Sequence, residues 1–249
     1  MKLKNAPIAE VVIGAQFGQS PITYRMIFDF YQELKSSYPN IKEDKVLPAV
    51  IENPEGDPER KVLQGFHSRK FLVNSKNTKL IQIQPDRLLF NWRKTSDEQD
   101  YPHFHNVLKE FLEVYNGLKK YCELDENLNQ QEVTYVDHIL MEDFERSNDY
   151  NPSNILNIYN IDEKTKINSL FQFFTIPVKN LNGNMHLQLK SATRNQDNRN
   201  IISMESICRG APSGRSLKQW YYEAHDNLIE LFKNITTKNA KEKWGFTNE

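Results

Sequence analysis

Residues 79 to 93 read Lys-Leu-Ile-Gln-Ile-Gln-Pro-Asp-Arg-Leu-Leu-Phe-Asn-Trp-Arg, two alternating runs divided by Pro85-Asp86. A period of two puts Ile81, Ile83, Leu88, Phe90 and Trp92 on one face, and Gln82, Gln84, Arg87, Asn91 and Arg93 on the other. That is the pattern of a hairpin with one core face and one polar face. Pro-Asp before an apolar run is ordinary tight-turn chemistry. Carried back to the preceding strand, the alternation places Phe71 and Val73 inward and Lys70 and Asn74 outward.

Further from the hairpin, the same order of patterns occurs twice. Glu10 to Phe17 is a strand with Val11, Ile13, Ala15 and Phe17 on one face, and Glu132 to Met141 answers it. After Ser20-Pro21, Ile22, Met26, Ile27, Phe30, Tyr31 and Leu34 recur at helical spacing, and the helix should stop near Tyr38-Pro39. The apolar stripe of Phe104 to Tyr121 is matched by that of Leu217 to Ile235, with Ser216 as N-cap. Residues 52 to 60, acidic and rich in Pro and Gly, read as an exposed loop and the stretch most prone to disorder. A polar segment at 122 to 131 reads as a junction, and a helical segment should follow Asn151-Pro152-Ser153.

Strands are predicted near 168 to 178, 185 to 192 and 200 to 209. In the last two, Leu187, Leu189, Ile202, Met204 and Cys208 point one way, and His186, Gln188, Lys190, Ser203, Glu205 and Arg209 the other. Phe171-Gln172-Phe173-Phe174 is apolar on both faces, which suits a strand between layers or at an interface. The expected fold is α+β: two similar halves, 1–125 and 126–249, forming one compact unit. A mostly antiparallel sheet would pack against long amphipathic helices on one face.

The blocks Asn5-Ala6-Pro7-Ile8-x-Glu10, Gln82-x-Gln84-x-x-Arg87 to Asn91-Trp92, Tyr101-Pro102, Arg209-Gly210 and Ala224-His225-Asp226 occur in this order along the whole chain. Together they resemble a sporadically distributed prokaryotic protein family of roughly this length. The resemblance implies a bacterial origin and an accessory genomic setting, beside phage-defence genes. It transfers no catalytic residue.

Charge excludes some classes of partner. With 32 basic and 33 acidic residues and a net charge of -1, no global field holds the chain on nucleic acid or a membrane. The two cysteines, Cys122 and Cys208, lack C-x-x-C spacing and fit a reducing cytoplasm. No apolar leader and no run of about 20 apolar residues occurs, so a soluble, unprocessed cytoplasmic protein without a membrane partner is expected.

Motifs of catalysis are missing. There is no Gly-x-Ser-x-Gly elbow, no phosphate-binding Gly-x-x-x-x-Gly-Lys loop and no Gly-x-Gly-x-x-Gly turn. His225-Asp226 and His103-x-His105 lie on helices at spacings that diverge, so both read as structural rather than metal-binding. Glu10 and Arg209 read as members of half-buried ion pairs, and Trp92 and Trp220 as core anchors. Trp244 would dock the C-terminal tail. No catalytic residue, metal or cofactor is expected.

One local signal remains: seven basic residues against one acid, Asp86, between Arg69 and Lys94. Candidate binding residues are therefore Lys70, Gln82, Gln84, Arg87, Asn91, Arg93 and Lys94, extended by Arg209. The leading expectation is a non-enzymatic binding or adaptor protein, acting through self-association or contact with a protein encoded nearby. The alternative is a nucleic-acid or nucleotide sensor using the basic polar sheet face.

Overall fold

The computed structural model describes residues 2–3, 5–61, 68–144, 151–159 and 167–247. In chain order it contains β1 (Lys2–Leu3), β2 (Ile8–Phe17), α1 (Tyr24–Leu34), β3 (Asn40–Asp44), β4 (Ala49–Ile51), β5 (Glu59–Lys61), β6 (Arg69–Val73), β7 (Lys79–Gln84) and β8 (Arg87–Arg93). There follow α2 (Phe104–Leu118), β9 (Leu128–Leu140), β10 (Phe171–Val178), β11 (Gly183–Thr193), β12 (Asn200–Gly210), α3 (Leu217–Ile235), α4 (Lys238–Lys243) and β13 (Phe246–Thr247). One nine-stranded sheet dominates, in the order β10-β11-β12-β9-β2-β8-β7-β6-β3. Every neighbouring pair in it is antiparallel. β2 and β9 lie side by side near its centre, and β1 pairs with β13 and β4 with β5 outside it.

The α+β class expected from the sequence does not hold: the protein is mainly β, with few helices and 28% helix overall. Two local differences accompany this. The helical segment expected after Asn151-Pro152-Ser153 is a single 3-10 turn, Pro152–Asn154. The polar junction at 122 to 131 is partly strand, because β9 begins at Leu128 and runs for 13 residues. Gln130 and Gln131 are buried there, so polarity did not mark a linker.

The core lies between the sheet and the helices on one of its faces. Phe111, Tyr115 and Leu118 of α2 and Trp220, Tyr221 and Leu228 of α3 meet Ile13, Phe90, Val133 and Cys208 of the sheet. Each such buried apolar side chain contributes on the order of 2 kcal/mol. A second cluster joins Ile139, Leu189, Ile202, Met204 and Phe232, with Trp244 packed into it. Tyr221 Oη donates to the carbonyl of Gly14 at 2.8 Å, which satisfies its hydroxyl inside the core.

Local chemistry sets the helix starts. The Ser216 hydroxyl accepts from Gln219 N–H, and the Gln219 side chain accepts from Ser216 N–H, a reciprocal cap for α3. α1 starts later than Pro21 suggested, because Thr23 accepts from Met26 N–H and so takes the cap.

In β6 the alternation is one residue out of step with the sequence reading. Leu72 stands opposite Ile81 on the core face and is buried, whereas Phe71 stands opposite Gln82 on the other face. The turn explains it: Asn74 accepts from Lys79 N–H at 2.9 Å, and Asn77 adopts φ 57°. That turn, rather than continuity of pattern, fixes the register. At the far side, Gly183 stands opposite Gly210. A Cβ on Gly183 would lie 2.0 Å from the Arg209 carbonyl oxygen, so only glycine allows the two backbones to approach there.

Candidate functional site

The polar face of the sheet is crossed by a strap, residues 47–53, held by side-chain amides. Gln84 accepts from Leu47 N–H at 3.0 Å and donates to the Leu47 carbonyl at 2.9 Å. Gln16 treats Val50 in the same way, at 3.0 and 2.8 Å, and Gln130 accepts from Glu52 N–H at 2.9 Å. A primary amide carries a carbonyl and an N–H in one plane, so each glutamine stands in for the peptide of a neighbouring strand. Arg87 donates to the Pro48 carbonyl at 3.0 Å and bonds to Gln16.

The strap delivers Glu52 into the protein, with its side chain 1% exposed. The carboxylate accepts from Arg209 at 3.0 Å and Asn184 at 2.9 Å, and lies 2.9 Å from His186 Nε2. Arg209 also donates to Glu132 at 2.9 Å. Burial pushes the Glu52 carboxyl up, but His186, Asn184 and Arg209 outweigh it and hold the group below the usual carboxylate range. Glu132 is held down likewise, burial being outweighed by Arg209 and Arg87. Arg209 finds its carboxylates in Glu52 and Glu132. Glu10, the other expected ion-pair member, accepts from Asn91 at 2.6 Å, and burial raises its pKa. The loop read as exposed thus supplies an interior acid.

The eight residues singled out in the sequence do not form one surface. Gln84, Arg87 and Arg209 each bond to the strap, at Leu47, Pro48 and Glu52 respectively. Gln82 donates to Asn91 at 2.9 Å, and both are buried. Arg93 donates to Asn77 at 2.7 Å. Lys70 falls on the helix-covered face at its rim, paired with Glu43, and half-buried Lys94 lines a groove elsewhere. The local basic excess is offset in space by acids from other segments: Arg69 meets Asp44 at 3.4 Å, and Lys79 meets Glu110 at 2.6 Å.

β10 ends the sheet on one side and carries no charge along its whole length, Phe-Gln-Phe-Phe-Thr-Ile-Pro-Val. Phe171, Phe173 and Phe174 are 70, 54 and 39% exposed. Phe171 and Phe173 lie on the strap side, where Phe173 stacks on His186 at 5.7 Å, and Phe174 lies on the helix side. The opposite edge, β3, reads Asn-Ile-Lys-Glu-Asp and is exposed throughout. Its charges protect it from pairing with another strand; β10 carries none, and of the edge-blunting residues has just Pro177, next to its end.

On the helix face a groove of about 1470 Å³ opens between the start of β2, residues 94–105 and α3. His225 stacks on Phe104 with ring centroids 4.2 Å apart, and its Nδ1 is 2.8 Å from Tyr135 Oη. Tyr135 Oη in turn is 3.3 Å from Tyr101 Oη. Burial pushes His225 down to about 4, so its ring is neutral at physiological pH. The partner of His225 is therefore a tyrosine side chain. His105 Nδ1 lies 2.7 Å from Tyr222 Oη. Among the described residues no group of three or more His, Cys, Asp or Glu is disposed to hold a metal ion.

Sequence reasoning missed Tyr135 and Asp137 in this region. Their signal was present: both fall in phase with Val133 and Ile139, on the core row of β9. Polar residues in a core row mark either a satisfied hydrogen bond or a site.

Among the described residues no helix is long and apolar enough to cross a membrane. No family model matches the chain, and no curated protein or solved structure matches it either.

Proposed function

We propose that the protein is a non-enzymatic binding component that works through protein–protein contact, with the β10 edge as its contact surface. The observation that carries this reading is a charge-free edge strand with three exposed phenylalanines. Such an edge offers unpaired N–H and C=O groups flanked by apolar side chains, which is what an added strand needs. The occupant is the β10 of a second copy. Antiparallel pairing about a two-fold axis is self-complementary, and a neutral strand does not repel its own image. The accessory genomic setting implied by the family resemblance suits a component that assembles rather than catalyses. Two of the cations on which nucleic-acid contact would rest are already engaged, Arg87 with Gln16 and Pro48, and Arg209 with Glu52 and Glu132.

Sedimentation velocity of the full chain tests the reading. The wild type should sediment as a dimer at micromolar concentration, and Phe173→Lys as a folded monomer with wild-type circular dichroism. A wild-type monomer at high concentration, or a dimer that survives Phe173→Lys, overturns it.

A further inference from the structure

A small cavity lies at the inner end of the groove, beneath α3. It measures about 40 Å³ and is lined by Pro7, Ile8, Ile229 and Phe232, with Ser206, Asp137 and Tyr135 as polar residues, the Tyr135 hydroxyl being already engaged with His225 and Tyr101. Ala6, Pro7, Ile8, Tyr135 and Ile229 line both spaces, so the cavity continues the groove. The sheet itself makes room: the β2–β9 register slips between Ile8 and Glu10, beside Asp137. Bulges of this kind re-aim side chains next to sites.

Asp137 is 3% exposed, and its carboxyl has no hydrogen bond or ion pair among the described residues. That is an unusual state for a buried acid, because an unpaired buried carboxylate costs far more than the hydrogen bonds it lacks. It is also the only charged group lining the cavity among the described residues. We propose that this cavity binds the head of a primary aliphatic amine, with Asp137 as its counter-ion.

The chemistry of the lining selects this class. An ammonium has three donors and no acceptor, and the cavity offers two acceptors, the Asp137 carboxylate and Ser206 Oγ. An anion would meet a carboxylate with no cation to balance it. A water-sized group needs roughly 10–15 Å³ of such space, so the cavity admits an ammonium head, whereas a quaternary ammonium has no N–H donor for either acceptor. The alkyl stem then runs between Ile8 and Ile229 into the groove. Burial pushes the Asp137 carboxyl up to about 7, so the acid is ionised at pH 8, where alkylamines are still protonated. This site is independent of the β10 edge.

Titration calorimetry at pH 8 on the full chain decides the matter, with n-butylamine, 1-butanol and tetramethylammonium as probes. Butylamine should bind one to one and raise the melting temperature, and the other two should not. Asp137→Asn should weaken butylamine by at least about tenfold, the loss of one charge-assisted bond, while melting no lower than wild type. Ser206→Ala should weaken it by a smaller factor. The proposal fails if butylamine does not bind the wild type, if the Asp137→Asn variant binds it equally well, or if 1-butanol binds as tightly, which would leave only an apolar hole.

Discussion

Glu52 meets Arg209 at 3.0 Å although 157 residues separate them in the chain. This contact anchors the end of a strap whose earlier residues are held by Gln84 and Gln16. Removing Arg209 leaves two buried acids, Glu52 and Glu132, without their cation, whereas removing the charge of Glu52 leaves Arg209 still paired with Glu132. Arg209→Met should therefore cost about 3–5 kcal/mol in denaturant unfolding. Glu52→Gln should cost about 1–3 kcal/mol. Equal losses would show that the three groups do not share one network.

Stability should depend on pH through two opposed sets of carboxyls. The Asp137 carboxyl has its folded pKa raised from 3.8 to about 7, so the folded state binds the extra proton and stability falls as pH rises through that window. The penalty is fully present above about pH 7 and amounts to a few kcal/mol at most. Glu52 and Glu132, held below the ordinary 4.5, act in the opposite sense: their stabilisation is present above that pH and is lost as acid is added. Asp137→Asn should flatten the decline between pH 4 and 7 while leaving the acid limb in place. Melting temperatures across that range measure both.

Glycine substitutions should separate close backbone approach from ordinary space. A Cβ at Gly183 meets backbone at 2.0 and 2.4 Å, and backbone has no rotamer with which to yield. Gly183→Ala should cost more than about 3 kcal/mol or prevent folding, by forced separation of two strands. At Gly18 the nearest atom to a Cβ is an Asn129 side-chain nitrogen at 3.5 Å. Gly18→Ala should thus change stability by no more than about 0.5 kcal/mol. Circular dichroism melts of the two variants provide the comparison.

The strands were the most legible part of the fold, since Ile81, Ile83, Leu88 and Phe90 all take the face their alternation gives them. The phase of β6 was not, because the turn around Asn74 resets it. The fold class failed for a related reason: Leu128 to Gln131 looked like linker, but Gln130 becomes interior because the strap supplies its partner, and Gln131 because Leu217 of α3 does. The site was hidden by the same separation in sequence. Nothing near Arg87 reveals that Gln16 and Pro48 will occupy it, and nothing near Lys70 reveals Glu43. Asp137 was visible as a polar residue in a core row, a signal that period-two reading weighs less than the rows of Gln and Arg outside.

β2 is flanked on one side by β8 and on the other by β9, with Val11 set opposite both Trp92 and Tyr135. During synthesis the first half of the chain can therefore assemble only a sheet with a bare inner edge at β2. The Gly14 carbonyl must then wait for Tyr221, 207 residues later, before its hydroxyl partner exists. Contacts of such span close slowly, and a nascent edge left open in the meantime is a place for chaperones or for misassembly. The adjacency of β2 and β9 thus makes completion of the chain a condition for burying its own core, so fragments ending before β9 should be recovered as aggregates rather than as small folded domains.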